Sequence, residues 1–345
     1  MKSVLITGGS GFFGSLLKQY LINEGFNCVN IDLEKDDDHF PNLISIQGDI
    51  RNKELLDSIF SQYKFDAIFH CAAILAHAVK DKNFLWTSNV DGTKNIAEAA
   101  KKFGITKIIF LSSNCLWGRD MQRLITETDV PEPIEIYGKS KLEGENILIS
   151  YKDSINSVII RCPTIIDSGR LGLLSILFEF IDEGRKVWVV GGGLNKYQFI
   201  FAGDLIDACV KSLKYESTEV FNIGSDNVKS FKEVYQYVIN EAKTGAKVAA
   251  LPKKLTLAGM KFAYLLGISP LGPYQYKMIS ADFVFDTTKI KQKLNWSPTL
   301  TNEQMLFKAY EYYSTNKNEI KNRKGVSAHK QSAKMGIIKL LKWLS

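Results

Sequence analysis

Apolar residues along this chain fall in short, β-branched runs separated by longer stretches in which they recur every three or four positions, the alternation expected of buried parallel strands and amphipathic helices. Runs at 2–7, 27–31, 43–47, 67–70, 107–111 and 157–161 predict strands. Between them, helical spacing appears through Leu16, Leu17, Tyr20 and Leu21, at 52–61, and at 89–103, where Val90, Ile96, Ala97 and Ala100 form one stripe. Further on, helices are predicted at 171–181, 204–214 and 231–242, with strands at 187–190, 199–201 and 220–223, the last two returning to the core. Gly191-Gly192-Gly193 reads as a flexible turn or as a place where backbone approaches a ligand. Residues 251–278 predict one helix and an aromatic, proline-bearing loop, either the core of a small cap or a wall for a bulky apolar group.

Strand–helix alternation predicts an α/β fold, a Rossmann-type doubly wound parallel sheet whose ligands bind at the carboxyl ends of the strands. The expected division is a dinucleotide-binding domain at 1–165 with a returning segment at about 199–228. A smaller α/β substrate-binding cap would take 166–198 and 229–313, and a basic tail 314–345.

The candidate chemistry sits at those strand ends. Gly8-Gly9-Ser10-Gly11-Phe12-Phe13-Gly14 lies between the first strand and the first helix, where backbone N–H groups can approach a pyrophosphate. Asp32 ends the second strand, 18 residues after Gly14. A carboxylate there accepts from both ribose hydroxyls and repels a 2′-phosphate, which favours NAD over NADP. Asp49, followed by Ile50, is placed to reach an adenine amino group. Cys71, Ala72 and Ala73 are small enough to let a dinucleotide lie close, and His70 before them reads as structural more readily than catalytic. Tyr137 and Lys141 are four apart, one helical turn, so an ammonium can favour the phenolate and supply an acid–base near neutral pH.

These elements together resemble the extended short-chain dehydrogenase/reductase family, the NAD-dependent epimerases and dehydratases, from residue 1 to about 313. The resemblance rests on Gly8/Gly11/Gly14, Asp32, Gly48-Asp49, His70-Cys71-Ala72-Ala73, Asn89-Val90-Asp91-Gly92-Thr93, Ser113, Tyr137-Gly138-Lys139-Ser140-Lys141, Phe221-Asn222-Ile223-Gly224 and Leu294-Asn295-Trp296-Ser297-Pro298. It implies that Tyr137 moves a proton, Lys141 lowers its pKa and holds the cofactor ribose, and Ser113 hydrogen-bonds the reacting oxygen. It also implies an NAD site that includes Phe12, Phe13, Ile50, Asn89 and Pro163, and a homodimer built on the helices at 89–103 and 137–150.

Two departures narrow the chemistry. Dehydratases of the family carry an acidic pair after the Ser/Thr; here stand Asn114 and Cys115, which disfavours dehydration and decarboxylation. Cys115 matches a base used by relatives that invert carbons beside a ketone, but no histidine stands in the loop that would pair with it, so a small packing residue is the stronger reading. Where nucleotide-sugar relatives clamp a diphosphate with arginines, this chain has Asn195-Lys196-Tyr197-Gln198 and Tyr276-Lys277-Met278-Ile279-Ser280. Lysine binds phosphate only as a point charge.

Bulk properties add limits. The chain has 345 residues, 45% hydrophobic and 23% charged, ordinary for a soluble globular protein. Its five cysteines are scattered without metal-ligand spacing, which predicts reduced thiols in a cytoplasmic protein and no metal site. The first strand begins at once, which predicts no secretory leader, and no apolar run reaches spanning length. Eight basic residues and one acid lie between Lys317 and Lys342, so the whole net charge of +7 sits in the tail and gives no ground for nucleic-acid binding by the body. Residues 316–332 predict a mobile linker, and 335–344 an amphipathic Lys-rich helix suited to an anionic membrane surface; a disordered tail or a subunit-docking helix is the alternative.

The expected activity is NAD-dependent epimerisation, oxidation or reduction at a secondary hydroxyl or ketone of a nucleotide- or lipid-linked sugar, such as a precursor in polysaccharide biosynthesis. The alternatives are a hydroxysteroid- or flavanol-type dehydrogenase and an NAD-binding regulatory or scaffold protein.

Overall fold

The computed structural model describes residues 2–75, 80–268, 272–322 and 342. Seven parallel strands form the main sheet: β1 (Ser3–Thr7), β2 (Asn27–Asp32), β3 (Leu43–Gln47), β4 (Ala67–His70), β5 (Lys107–Ser113), β6 (Asn156–Cys162) and, after three strands of the cap, β10 (Glu219–Asn222). Their order is β10-β6-β5-β4-β1-β2-β3. The chain winds outward from β1 to one edge, then restarts at β4 and winds to the other. The switch between β1 and β4 opens a crevice at their carboxyl ends.

The central strands bury both faces, as their apolar runs require: Val4, Ile6 and Ile160 pack on one side, Leu5, Ile68 and Ile159 on the other. Helices α1 (Phe12–Asn23) and α7 (Ala202–Lys211) cover the first face; α2 (Lys53–Gln62), α4 (Asp91–Phe103) and α5 (Ile136–Ser150) cover the second.

The predicted helix at 89–103 is α4, which starts two residues later; before it, joined at Val90, stands a helix not expected from the sequence, α3 (Lys82–Asn89). Asp81 caps α3 by accepting from Asn83 and Phe84 N–H. The Asn89 amide is held by the Ile74 backbone and by Ser140 Oγ.

A second core gathers α6 (Leu174–Asp182), β8 (Lys186–Val190), α8 (Phe231–Ala242), β11 (Lys247–Leu251) and α12 (Asn302–Asn322). Residues 199–201 return to the core, with Ile200 buried on the first face, but they do not join the main sheet. That segment, β9 (Phe199–Phe201), pairs with β7 (Thr164–Ile166) in a small sheet of its own, its register held by Asn302 Oδ1 on the Phe199 N–H. Gly191, Gly192 and Gly193 all have positive φ and make the turn after β8.

The expected linker at 316–332 is corrected over 316–322, and 323–332 lie outside the described residues. Helix α12 runs to Asn322, Ile320 is buried in the cap core, and Lys317 pairs with Asp182 at 3.0 Å. Of the 335–344 helix, all but residue 342 lies outside the described residues. Lys342 bridges Glu179 and Glu183 at 2.5 and 2.6 Å.

Residues 251–278 hold two helices, α9 (Lys253–Leu265) and α10 (Pro273–Met278). Of these, α10 buries Tyr274 and Met278 in a small core with Trp117, Phe283 and Phe285, whereas in α9 only Ala263 is buried. The next helix, α11 (Thr288–Leu294), closes the first face of the sheet through Ile290 and Leu294. Among the described residues no helix is long and apolar enough to cross a membrane.

Candidate active site

One cavity of about 1000 Å³ runs from the β1–β4 switch point into the cap, and every site residue expected from the sequence lines it. At its inner end the chain turns from β1 into α1 over the glycine loop. A Cβ on Gly14 would stand 2.0 Å from the Gly8 carbonyl oxygen, so only glycine lets α1 start this close to the strand. Gly11 and the buried Phe12 and Phe13 continue the wall. Asp32 closes the loop by accepting from the Ser10 N–H at 2.8 Å and the Glu34 N–H at 3.0 Å.

Asp49 lines the same wall beside Ile50, with a qualification to the adenine expectation. Arg51 binds both of its oxygens, Nη2 at 2.6 Å. Burial pushes the Asp49 carboxyl up, but the Arg51 hydrogen bonds outweigh it and hold it below its ordinary range. Asn89 lines the cavity too, yet its amide is spent on Ile74 and Ser140, so it positions the turn that carries Tyr137. His70 is bridged between Thr7 Oγ1 at 2.6 Å and Thr93 Oγ1 at 2.9 Å, and burial lowers it to about 3; it is a core histidine.

Tyr137, Lys141 and Ser113 meet where α5 crosses the end of β5. A Cβ on Gly138 would lie 2.2 Å from the Cys115 carbonyl oxygen, and this contact brings the first turn of α5 onto the Ser113–Cys115 turn. Ser113 Oγ accepts from the Cys115 N–H at 3.1 Å. Lys141 is buried with Nζ 4.0 Å from the Phe110 ring centroid, and desolvation lowers it to about 8.

The electrostatics correct the expectation that an ammonium depresses the phenol. Burial dominates and pushes Tyr137 up, with only Ser113 and Arg170 opposing it, so the phenol is held protonated. Cys115 is pushed up to about 11 by burial, and Asn114 beside it donates to Tyr197 Oη at 2.5 Å. Such a thiol is a poor base, in keeping with the packing reading.

Three cavity residues escaped the sequence reading because they come from distant segments without a motif: Arg170, Tyr197 and Tyr274. Arg170 lies with its guanidinium 5.6 Å from the Phe12 ring centroid, and its buried Nε has no acceptor among the described residues. Desolvation lowers it to about 10 despite the nearby Tyr137. Tyr197, standing where a clamp arginine was sought, shares its hydroxyl with Tyr274 at 3.3 Å. Among the described residues, Arg170 and Lys141 are the only basic side chains that line the cavity; Lys196 and Lys277 do not. Toward the cap the wall is apolar, with Leu174, Phe180, Trp188 and Met260.

A doubly wound sheet, a glycine turn at its switch point and an acidic residue ending β2 define the class of dinucleotide-dependent α/β enzymes. Comparison with known proteins makes this specific. The model of the NAD dependent epimerase/dehydratase family matches residues 4–224, and the chain belongs to that family. It is therefore an NAD-dependent enzyme of the extended short-chain dehydrogenase/reductase type. The uncharacterized protein y4nG of Sinorhizobium fredii is 34% identical over 99% of this chain and 86% of its own length. N-acetyl-alpha-D-glucosaminyl-diphospho-ditrans,octacis-undecaprenol 4-epimerase of Escherichia coli O157:H7 is 30% identical over 81% of this chain and 80% of its own. Among solved structures, UDP-glucose 4-epimerase of Thermotoga maritima superposes with a TM-score of 0.76 at 23% identity, covering 91% of this chain and 99% of that one.

The residues present fit NAD. The glycine cradle leaves no room for a Cβ at Gly14, Asp32 ends β2 beside it as the carboxylate that would hold a ribose, and the Arg170 Nε, unsatisfied among the described residues, offers a donor to an anionic group.

Proposed function

We propose that this enzyme epimerises a secondary hydroxyl of a diphosphate-linked sugar, with a lipid-linked sugar favoured over a free nucleotide sugar. The observation that carries the reading is the convergence of Ser113, Tyr137 and Lys141 on the cavity that also holds the glycine cradle. When bound, NAD supplies the acceptor and donor for the hydrogen at the reacting carbon. Tyr137 Oη exchanges the hydroxyl proton, Ser113 Oγ holds the reacting oxygen, and Lys141 supplies the cationic charge that the buried phenol needs as its proton leaves. Asn114 and Cys115 provide no carboxylic acid to expel water, which sets the chemistry apart from dehydration.

The substrate preference rests on three supports. The relative from Escherichia coli O157:H7 acts, by its name, on an undecaprenyl diphosphate sugar. The wall toward the cap offers a ring few directional partners, so a sugar can turn between loss and return of its proton. Arg170 is the cation available to a phosphate there, in place of a paired arginine clamp. A homodimer through α4 and α5 belongs to the same reading, and light scattering on the purified chain tests it.

Incubation with undecaprenyl-diphospho-N-acetylglucosamine, UDP-N-acetylglucosamine and UDP-glucose, with the sugars released and resolved by chromatography, tests the proposal. Epimer should form fastest from the lipid-linked sugar. If no diphospho-sugar is epimerised while steroid or flavanol alcohols reduce NAD, the hydrophobic-alcohol reading replaces it.

A further inference from the structure

The helix α9 presents two faces of unlike chemistry. Thr256, Gly259, Met260 and Ala263 line the cavity. At about 100° per residue, Leu255, Phe262, Leu265 and Leu266 form a second stripe turned roughly 120° from the first. These four are 73%, 64%, 71% and 57% exposed, and Ile268 just beyond is 48% exposed. Large apolar side chains grouped this way in water mark an interaction surface.

The charge around the stripe says what kind of surface. Lys254 and Lys261 flank it on the helix, and Lys277 is exposed on α10, which packs against α9 through Tyr264 and Tyr276 at 6.2 Å. Between Leu251 and Ser280 there are four lysines and no aspartate or glutamate. The inward face of the same helix is a wall of the catalytic cavity, so whatever the outward face rests on lies one helix diameter from the site.

The geometry points to α9 as a docking helix for an anionic lipid bilayer: Leu255, Phe262, Leu265 and Leu266 enter the acyl boundary while Lys254, Lys261 and Lys277 meet phosphate headgroups. The cavity then faces the bilayer in which a lipid-linked sugar resides. In this respect the inference deepens the proposed substrate reading and rests on it, although docking itself is measured without turnover.

The test is flotation of the full chain with vesicles of phosphatidylcholine and phosphatidylglycerol, and with phosphatidylcholine alone. Three variants run beside it: L255E/F262E, K254E/K261E, and K330E/K334E/K339E in the tail. Melting curves and epimerase activity on a water-soluble UDP-sugar report whether each variant is folded. The parent should float with anionic vesicles at low salt, and L255E/F262E should lose at least tenfold in bound fraction. K254E/K261E should lose severalfold on anionic vesicles only, and the tail variant should float as the parent does. Flotation of L255E/F262E equal to the parent, or of neither, overturns the inference. So does a halving of mass by light scattering in L255E/F262E with flotation unchanged, which would make a second copy of the chain the occupant. If the parent floats as described and epimerises no diphospho-sugar, docking stands and the substrate reading fails.

Discussion

Replacing Lys141 by methionine should stabilise the fold while removing activity. The side chain is 3% exposed, and burial lowers its ammonium from 10.5 to about 8. At about 1.4 kcal/mol for each factor of ten in proton affinity, that corresponds to roughly 3 kcal/mol held against folding at pH 7. The contact with Phe110 offsets part of this, on the order of 0.5–2 kcal/mol, so Lys141→Met should gain about 1–3 kcal/mol. The pH dependence has a definite sign. Between pH 8 and 10.5 the unfolded chain still holds a proton that the folded chain has released, so wild-type stability rises with pH across that window and the penalty is complete below it. Urea unfolding of cofactor-free protein at pH 7 and pH 10 would therefore show a gap between variant and wild type that narrows as pH rises. A variant less stable than wild type at pH 7, or a gap unchanged between the two, refutes the reasoning. Activity in Lys141→Met should fall about 10²–10⁴-fold in either case.

Other changes separate the parts of the site. Tyr137→Phe should lower kcat by about 10²–10⁴-fold with little change in melting temperature, because it removes a proton carrier and no packing volume. Gly14→Ala should weaken NAD binding at least about tenfold by calorimetry, since its Cβ would collide with the Gly8 carbonyl. Arg161→Met should cost about 3–5 kcal/mol in urea unfolding, because it strands Glu145, which is 1% exposed and now paired with Arg161 at 2.7 Å and bonded by Ser112.

The parts legible in sequence were those with local causes. β-Branched runs marked the central strands, and the glycine turn and the Tyr–Lys pair marked the cavity because each needs particular residues at fixed spacing. What was lost depends on contacts between distant segments. The extra helix α3 before Val90 ends where Asn89 binds Ile74 and Ser140, which no periodicity shows. The separation of β9 from the main sheet follows from its pairing with β7 and from Asn302. The polar stretch after residue 316 continues as helix because Ile320 and Lys317 find partners on the cap. In 251–278 the abundance of apolar residues suggested burial, whereas only one face of α9 meets the cavity. The phenol's protonation was misjudged for a related reason: helical spacing puts Lys141 one turn from Tyr137, but the burial that pushes the phenol up against Ser113 and Arg170 is a tertiary property.

The central claim is that the hydrogen at the inverted carbon leaves and returns within the site beside Tyr137, without passing through solvent. Conversion of a diphospho-sugar in deuterium oxide, followed by mass spectrometry and proton NMR of the epimer, measures this directly. The account predicts an inverted centre that carries protium. Deuterium at that carbon would mean proton abstraction from carbon by a base such as Cys115, and would contradict it.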